Sequence, residues 1–91
     1  MSPVISAQEV YAVLVHLADN LHTRDPKLAE RLTFASRFAT GSTSELFGEA
    51  SRALQFVLDT GTDLHQPEKD EARNTIRRIR AEFERVGQRP S

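Results

Sequence analysis

Apolar and polar residues follow one another along the chain with the period of an α-helix, in four successive segments. The first segment is the most apolar, and its apolar positions fill a wide arc of the helical wheel, which predicts a central helix touching at least two neighbours. These positions are Ala7, Val10, Tyr11, Val13, Leu14, Leu17, Ala18 and Leu21. The whole pattern predicts helices over approximately residues 7–22, 26–39, 43–60 and 67–86, with a frayed tail at 88–91.

Residues that begin and end helices separate the four segments. Ser6 and Glu9 have the spacing of a capping box, in which each side chain accepts a hydrogen bond from the other residue's backbone N–H. Asp25 before Pro26 is a second helix start, because aspartate caps helices and proline fits the first turn. Gly41 predicts the end of the second helix through a positive φ angle. The connections are therefore short, and consecutive helices are expected to be antiparallel neighbours.

The sequence predicts an all-α fold, a small four-helix bundle with short antiparallel connections, built as a single helical domain over residues 1–91. No segment shows the alternation typical of a β-strand. The apolar seam of the fourth helix is narrow, so docking of this helix on a second subunit is the alternative. Because Phe56 also projects off the apolar stripe of the third helix, we predict a homodimer. The seam consists of Ala72, Ile76, Ile79, Phe83 and Val86.

Composition limits the cellular compartments and the binding partners that we expect for this protein. The chain has 91 residues with 12 basic and 13 acidic side chains, a net charge of −1, so no strong overall field attracts nucleic acid or an anionic membrane. It has no cysteine, which excludes disulfides, thiolate catalysis and cysteine-ligated metal centres. No segment approaches the roughly 20 apolar residues of a membrane span, and no export signal is recognisable. We therefore expect a cytoplasmic protein that does not contact membranes.

The stretch TGSTSELFGEA at residues 40–50 places a glycine inside the third helix. Gly48 lowers the stability of the helix by about 1 kcal/mol relative to alanine, so its presence requires a structural or functional explanation. The favoured reason is close packing against the first or second helix, which predicts that Gly48→Ala destabilises the protein. The functional alternative is a polar surface near a helix start, where Ser42 and Glu45 form a second capping box. This candidate interaction patch comprises Ser42, Ser44, Glu45, Gly48, Glu49 and Phe56.

The sequence contains no recognisable set of catalytic or metal-binding residues. His16 shares a helix face with Glu9 and Asn20, but a metal site needs three or four converging ligands. His22 and His65 fall at helix ends or in loops and are expected to be surface residues. There is no Gly-x-Ser-x-Gly elbow and no glycine-rich phosphate loop. We predict no catalytic residue, no metal and no cofactor; a small enzyme with a site at a dimer interface is the remaining alternative.

Arginines are concentrated in the fourth helix, where Arg73, Arg77 and Arg80 share one face and form a candidate basic face. This face makes nucleic-acid binding an alternative function. Against it, the third helix, read as a recognition helix, presents acids such as Glu45 and Glu49, which repel phosphates.

Two structural roles for these arginines are open. Basic residues of the fourth helix can pair with acids one turn along, as in Arg78 with Glu82 and Arg80 with Glu84. The three residues of the basic face can instead meet acids of the second or third helix, in the same chain or in a partner chain. Candidate acids are Glu30, Glu45 and Glu49. We therefore predict a non-catalytic helical module that acts by contact with an unidentified protein partner, or in regulation.

Overall fold

The structure, a computed structural model, describes residues 4–87. It confirms the predicted all-α four-helix bundle, and residues 4–87 contain no strand. The predicted tail at 88–91 lies outside this range. The helices are α1 (Ala7–Leu21), α2 (Pro26–Ser36), α3 (Thr43–Thr60) and α4 (Gln66–Gly87), with a 3-10 turn at Arg37–Thr40 after α2.

The predicted starts of α1 and α2 form as local hydrogen bonds. The Ser6 hydroxyl accepts from the Glu9 backbone N–H at 3.1 Å, and the Glu9 carboxylate accepts from the Ser6 N–H at 3.3 Å. The Asp25 carboxylate accepts from the Leu28 N–H at 3.3 Å, with Pro26 at the first position of the helix. These bonds satisfy N–H groups that a helix start leaves without partners, which is why three or four residues are enough to predict the boundary.

The junction between α2 and α3 differs from the prediction. The chain tightens into the 3-10 turn after α2, and Gly41 has a φ of −105°, so the expected positive φ is wrong. The Gly41 N–H donates to the Phe38 carbonyl at 3.0 Å, which closes the turn. At the start of α3, Ser42 accepts from the Glu45 N–H at 3.3 Å. Over residues 4–87 the return bond from the Ser42 N–H to the Glu45 carboxylate is absent, so only half of the second capping box forms.

The bundle has two central and two outer helices. α1 and α3 each pack against all the other helices, as the wide apolar arc of the first segment predicts. α2 and α4 lie on opposite sides of this central pair and do not contact each other over the described part of the chain. The largest fully buried side chains are Ile5, Leu14, Leu17, Leu21, Leu32, Leu46, Leu54, Ile79, Val10 and Val57. No helix within residues 4–87 has the length and apolar character required to cross a bilayer.

α4 packs on its own chain with a face that shares Ala72 and Ile79 with the predicted seam but is shifted around the helix. Phe83 and Val86 remain 43% and 50% exposed. The buried stripe is rotated by about 40° on the helical wheel relative to the predicted seam. It includes two acids and a threonine, and its members again recur at steps of four and three. They are Glu68, Ala72, Thr75, Ile79 and Glu82.

Glu68 is buried because the chain provides partners at the end of α1 and before α4. Its carboxylate forms an ion pair with Arg24 and accepts from the His65 N–H at 2.9 Å. Arg24 also donates to the Asp63 carbonyl at 2.6 Å. Burial raises the pKa of Glu68, but the hydrogen bonds from Arg24 and His65 outweigh it and hold that pKa below its ordinary value. The pair fixes the connection between α3 and α4 to the end of α1.

The other end of α4 holds the segment before α1. The Val4 N–H donates to the Glu82 carboxylate at 2.7 Å, and the Arg78 guanidinium donates to the Val4 carbonyl at 2.9 Å. Arg78 also donates to Glu9 at 2.7 Å and, as the largest cause, lowers the pKa of that carboxyl group. The predicted pairing of Arg78 with Glu82 is therefore wrong, since Glu82 bonds Arg85 and the Val4 backbone while Arg78 crosses to α1.

Candidate functional site

The α3–α4 groove is a series of three adjoining recesses along these two helices, and the start of α1 also borders the third of them. The recesses have volumes of about 550, 340 and 380 Å³. Ile76 and Arg80 border both the first and the second recess, and Phe83 borders both the second and the third. We call the first recess the arginine end and the third recess the apolar end.

The arginine end brings together the three residues of the predicted basic face. Arg73, Arg77 and Arg80 border one recess, together with Asp59 of α3. The rotation of α4 turns part of the apolar seam towards solvent, and Ile76 of this seam lies in the same recess. The other members of its lining are Gln55 and Leu58.

The positive charge of the arginine end is not neutralised by the acids that the sequence suggested. Glu49 pairs with Arg31 at 3.7 Å and with Arg52 at 2.9 Å, both outside the arginine end. Within residues 4–87, Arg73 and Arg80 form no hydrogen bond or ion pair. The predicted pairing with Glu30, Glu45 or Glu49 of the same chain is therefore wrong, as is the pairing of Arg80 with Glu84.

The apolar end lies where the starts of α1 and α3 meet the last turns of α4. Phe83 packs edge-on against Phe47, with 6.0 Å between the ring centroids, and a large part of its ring still faces solvent. Val86 lies one turn further along α4, and Ile5 is buried beneath the recess. The remaining lining residues are Ser6, Ala7, Thr43, Ser44 and Glu82.

The candidate patch around Gly48 forms a separate recess of about 300 Å³. The structure brings Ser44, Glu45, Gly48 and Glu49 together there, beside Phe38 and Arg52. Ser42 caps α3 instead, and Phe56, 43% exposed, lies about two turns further along the helix. Because Arg31 and Arg52 already neutralise Glu49, the patch attracts a basic partner less strongly than its two acids suggest.

Gly48 does not serve helix packing. Within residues 4–87, a Cβ atom built on Gly48 meets no heavy atom within 4 Å outside its own helix backbone and its immediate neighbours. The packing explanation is therefore wrong, since no other helix approaches the backbone at this position.

The histidine face of α1 forms a cross-helix contact. His16 Nδ1 lies 3.0 Å from a carboxylate oxygen of Glu71 on α4, and this hydrogen bond raises the pKa of His16. His16 Nε2 lies 3.5 Å from the Asn20 amide, whereas Glu9 bonds Arg78. In the part of the chain that the structure describes, no three His, Asp or Glu residues are grouped so that they could hold a metal ion.

Sequence reasoning missed the second stripe of α4 and the role of the first residues. The signal that could have revealed the second stripe is a repeat of seven residues, formed by Glu68, Thr75 and Glu82. It has the same spacing as the apolar seam of this helix. Nothing in the local pattern indicates that Val4 and Ile5 lie on α4 or in the core, because their partners are remote in sequence.

Comparison of the chain with protein-family models, curated proteins and solved structures gave no match. The chain's own residues therefore carry the functional argument. Among the surfaces described above, the α3–α4 groove is the one that combines uncompensated charge with exposed apolar side chains.

Proposed function

We propose that this protein is a non-catalytic interaction module that binds a segment of another protein in the α3–α4 groove. The observation that carries the proposal is the rotation of α4. This helix buries Glu68, Thr75 and Glu82 and leaves Phe83 and Val86 exposed. The usual preference is the reverse, because large apolar side chains are usually buried and glutamates are usually exposed; Glu68 and Glu82 are buried here with the partners described above.

The apolar end can contribute to binding but cannot account for it alone. Full burial of a large apolar side chain contributes about 1.5–3 kcal/mol, so covering the exposed halves of Phe83 and Val86 contributes about 2 kcal/mol together. A millimolar dissociation constant already requires about 4 kcal/mol after the entropic costs of association. A specific partner must therefore use the arginine end as well.

The side chains of the arginine end favour binding over catalysis. Guanidinium groups are not among the groups that usually act as general acids, general bases or nucleophiles in enzymes. They hold planar anionic groups through paired hydrogen bonds. A groove that offers such donors beside aliphatic side chains is suited to holding a peptide.

The homodimer and the cytoplasmic location remain predictions beside this proposal. Phe56, 43% exposed on α3 and absent from the lining of the α3–α4 groove, supplies apolar area that a second copy could cover. Sedimentation equilibrium over a wide concentration range tests the dimer, and a strict monomer at high concentration would remove it.

A displayed library of helix-forming peptides, panned against the whole chain, tests the proposed function. Enriched peptides should bind the wild type and lose binding to Phe83→Asp and to Val86→Asp. Tyr11→Asp is the matched control, because Tyr11 on α1 is 44% exposed and lies outside the groove. Peptides that bind all three variants equally, or no enrichment at all, would contradict the proposal. Thermal melts of the variants verify that each is folded.

A further inference from the structure

We infer that the segment bound in the α3–α4 groove is an amphipathic helix with acidic residues at one end and large apolar residues at the other; this inference rests on the proposed function. Helices commonly bind by placing residues at i, i+3 or i+4 and i+7 into a groove between two helices of the partner. The α3–α4 groove offers a charged half and an apolar half in line, so its occupant must match both.

Charge complementarity gives the acidic character of the occupant. Three guanidinium groups of α4 border the arginine end, where Asp59 is the single carboxylate among the lining residues within 4–87. Asp59 accepts a hydrogen bond from Gln55 at 2.9 Å, and Arg73 and Arg80 have no partner within residues 4–87. Guanidinium groups bind carboxylates through two parallel hydrogen bonds, with a geometry that lysine does not offer. The acids that these arginines lack within the chain are therefore supplied by the occupant.

The spacing of the groove fits a helix. Arg73, Arg77 and Arg80 recur at steps of four and three and span about 10 Å along α4, which matches carboxylates at i, i+3 or i+4 and i+7 of a facing helix. From Arg73 to Val86 the groove runs for about 20 Å, or nearly four helical turns. Large aliphatic or aromatic residues of the occupant then reach Phe83 and Val86.

Two other occupants fit the groove less well. A second copy bound through the same face would form a two-fold contact in which the arginines of both copies come together, and like charges repel. A nucleic acid needs cations along its whole phosphate backbone, but among residues 4–87 none lines the apolar end, and Asp59 borders the arginine end. The experiment must therefore distinguish binding of an acidic helix from binding of a second copy and from binding of a nucleic acid.

The test compares two charge reversals in binding measurements with the peptides enriched from the displayed library. Arg80→Glu changes a residue that borders both the arginine end and the middle recess. Arg37→Glu is the matched control: Arg37 is exposed in the 3-10 turn and is not among the residues that line the three recesses. Both variants change the net charge equally, and thermal melts report whether each is folded.

The inference predicts enriched peptides with several Asp or Glu residues at one end and apolar residues at the other. Arg80→Glu should raise their dissociation constant by about tenfold, or 1.4 kcal/mol, whereas Arg37→Glu should leave it unchanged. Binding should weaken with added salt, because exposed ion pairs are screened. Replacing by lysine only the peptide acid that faces Arg80 should partly restore binding to Arg80→Glu and weaken binding to the wild type, because Arg73 and Arg77 keep their own acidic partners.

Four results would overturn the inference, and they separate it from the proposed function. Peptides that require Phe83 but show no acidic excess and bind Arg80→Glu normally would remove the inference and leave the interaction function in place. Absence of any peptide that requires Phe83 would remove both. Oligothymidylate binding that is lost in Arg80→Glu and displaces the peptides would assign the groove to nucleic acid. Self-association that is lost in Arg80→Glu would assign it to a second copy.

Discussion

Gly48→Ala should stabilise the protein, although a glycine inside a helix suggests close packing. Gly48 lies in the interior of α3, and no described glycine has a positive φ angle, so alanine can adopt the same backbone conformation. The new methyl group would meet no heavy atom within 4 Å, apart from the atoms of its own helix backbone and immediate neighbours. The substitution therefore adds no clash that would offset the better helix propensity of alanine.

The expected gain follows from propensity alone. Glycine is about 0.8–1.0 kcal/mol less favourable than alanine in a helix interior, mainly because it loses more backbone entropy on folding. In a domain of this size a gain of about 1 kcal/mol raises the melting temperature by about 4–8 °C. Urea unfolding followed by circular dichroism should give a higher midpoint with an unchanged slope, because the same surface is exposed on unfolding.

The opposite result would refute this reasoning. If Gly48→Ala is neutral or destabilising, another part of the protein occupies the space beside Gly48 and the described recess is not open in solution. If it stabilises as expected, the fold of the single chain does not require the glycine, and its presence must be explained by a contact outside that fold.

Three further predictions concern other parts of the chain. Gly61→Ala should destabilise the protein by about 1 kcal/mol or more in the same urea assay, because the alanine Cβ would lie 2.7 Å from the Val57 carbonyl oxygen. A variant as stable as the wild type would contradict the geometry of this helix end. Arg24→Ala should cost about 1–3 kcal/mol at neutral pH by leaving the buried Glu68 carboxylate with fewer partners. The pKa of Glu68 is lowered from 4.5, so the stabilisation from the Arg24–Glu68 pair is present above pH 4.5 and lost as the pH falls through the lowered pKa. A destabilisation by Arg24→Ala that stays constant in acid would argue against the pair. Glu71→Gln should return the raised pKa of His16 towards 6.5 in an NMR titration. The stabilisation from the His16–Glu71 pair is complete below pH 6.5 and lost as the pH rises through the raised pKa. If the pKa of His16 is the same in the variant and the wild type, the contact does not form in solution.

The features that sequence predicted correctly depend on residues close together in the chain. The hydrogen bonds of Ser6 with Glu9 and of Asp25 with Leu28 join residues three apart. Helical periodicity likewise depends on neighbours within a few turns, so the bounds of α1, α3 and α4 could be predicted to within one residue, as could the central position of α1 and the shared face of the three arginines. The end of α2 at Ser36 comes three residues before the predicted end at 39. The positive φ at Gly41 was wrong because a 3-10 turn offers another way to end a helix.

The candidate groove was only half predictable from sequence. Helical spacing placed Arg73, Arg77 and Arg80 on one face, but it could not show that Glu49 would pair with Arg31 and Arg52 instead. The cost of Gly48 could likewise be estimated from the sequence, whereas the space beside it depends on how the neighbouring helices pack. Charge balance and free volume are properties of the packed chain.

Sequence by itself determined that this chain forms four amphipathic helices and where each one begins. Only the tertiary structure decided which face of α4 is buried. Two stripes of that helix have equivalent spacing, and the choice depends on Arg24, which meets Glu68 across 44 positions of the chain, and on Val4, which meets Glu82 across 78. Apolar periodicity measures how favourable it is to remove a face from water, but it does not include the partners that allow a carboxylate to be buried. Those partners exist only once the chain has folded, and they turn Phe83 and the arginines towards the α3–α4 groove.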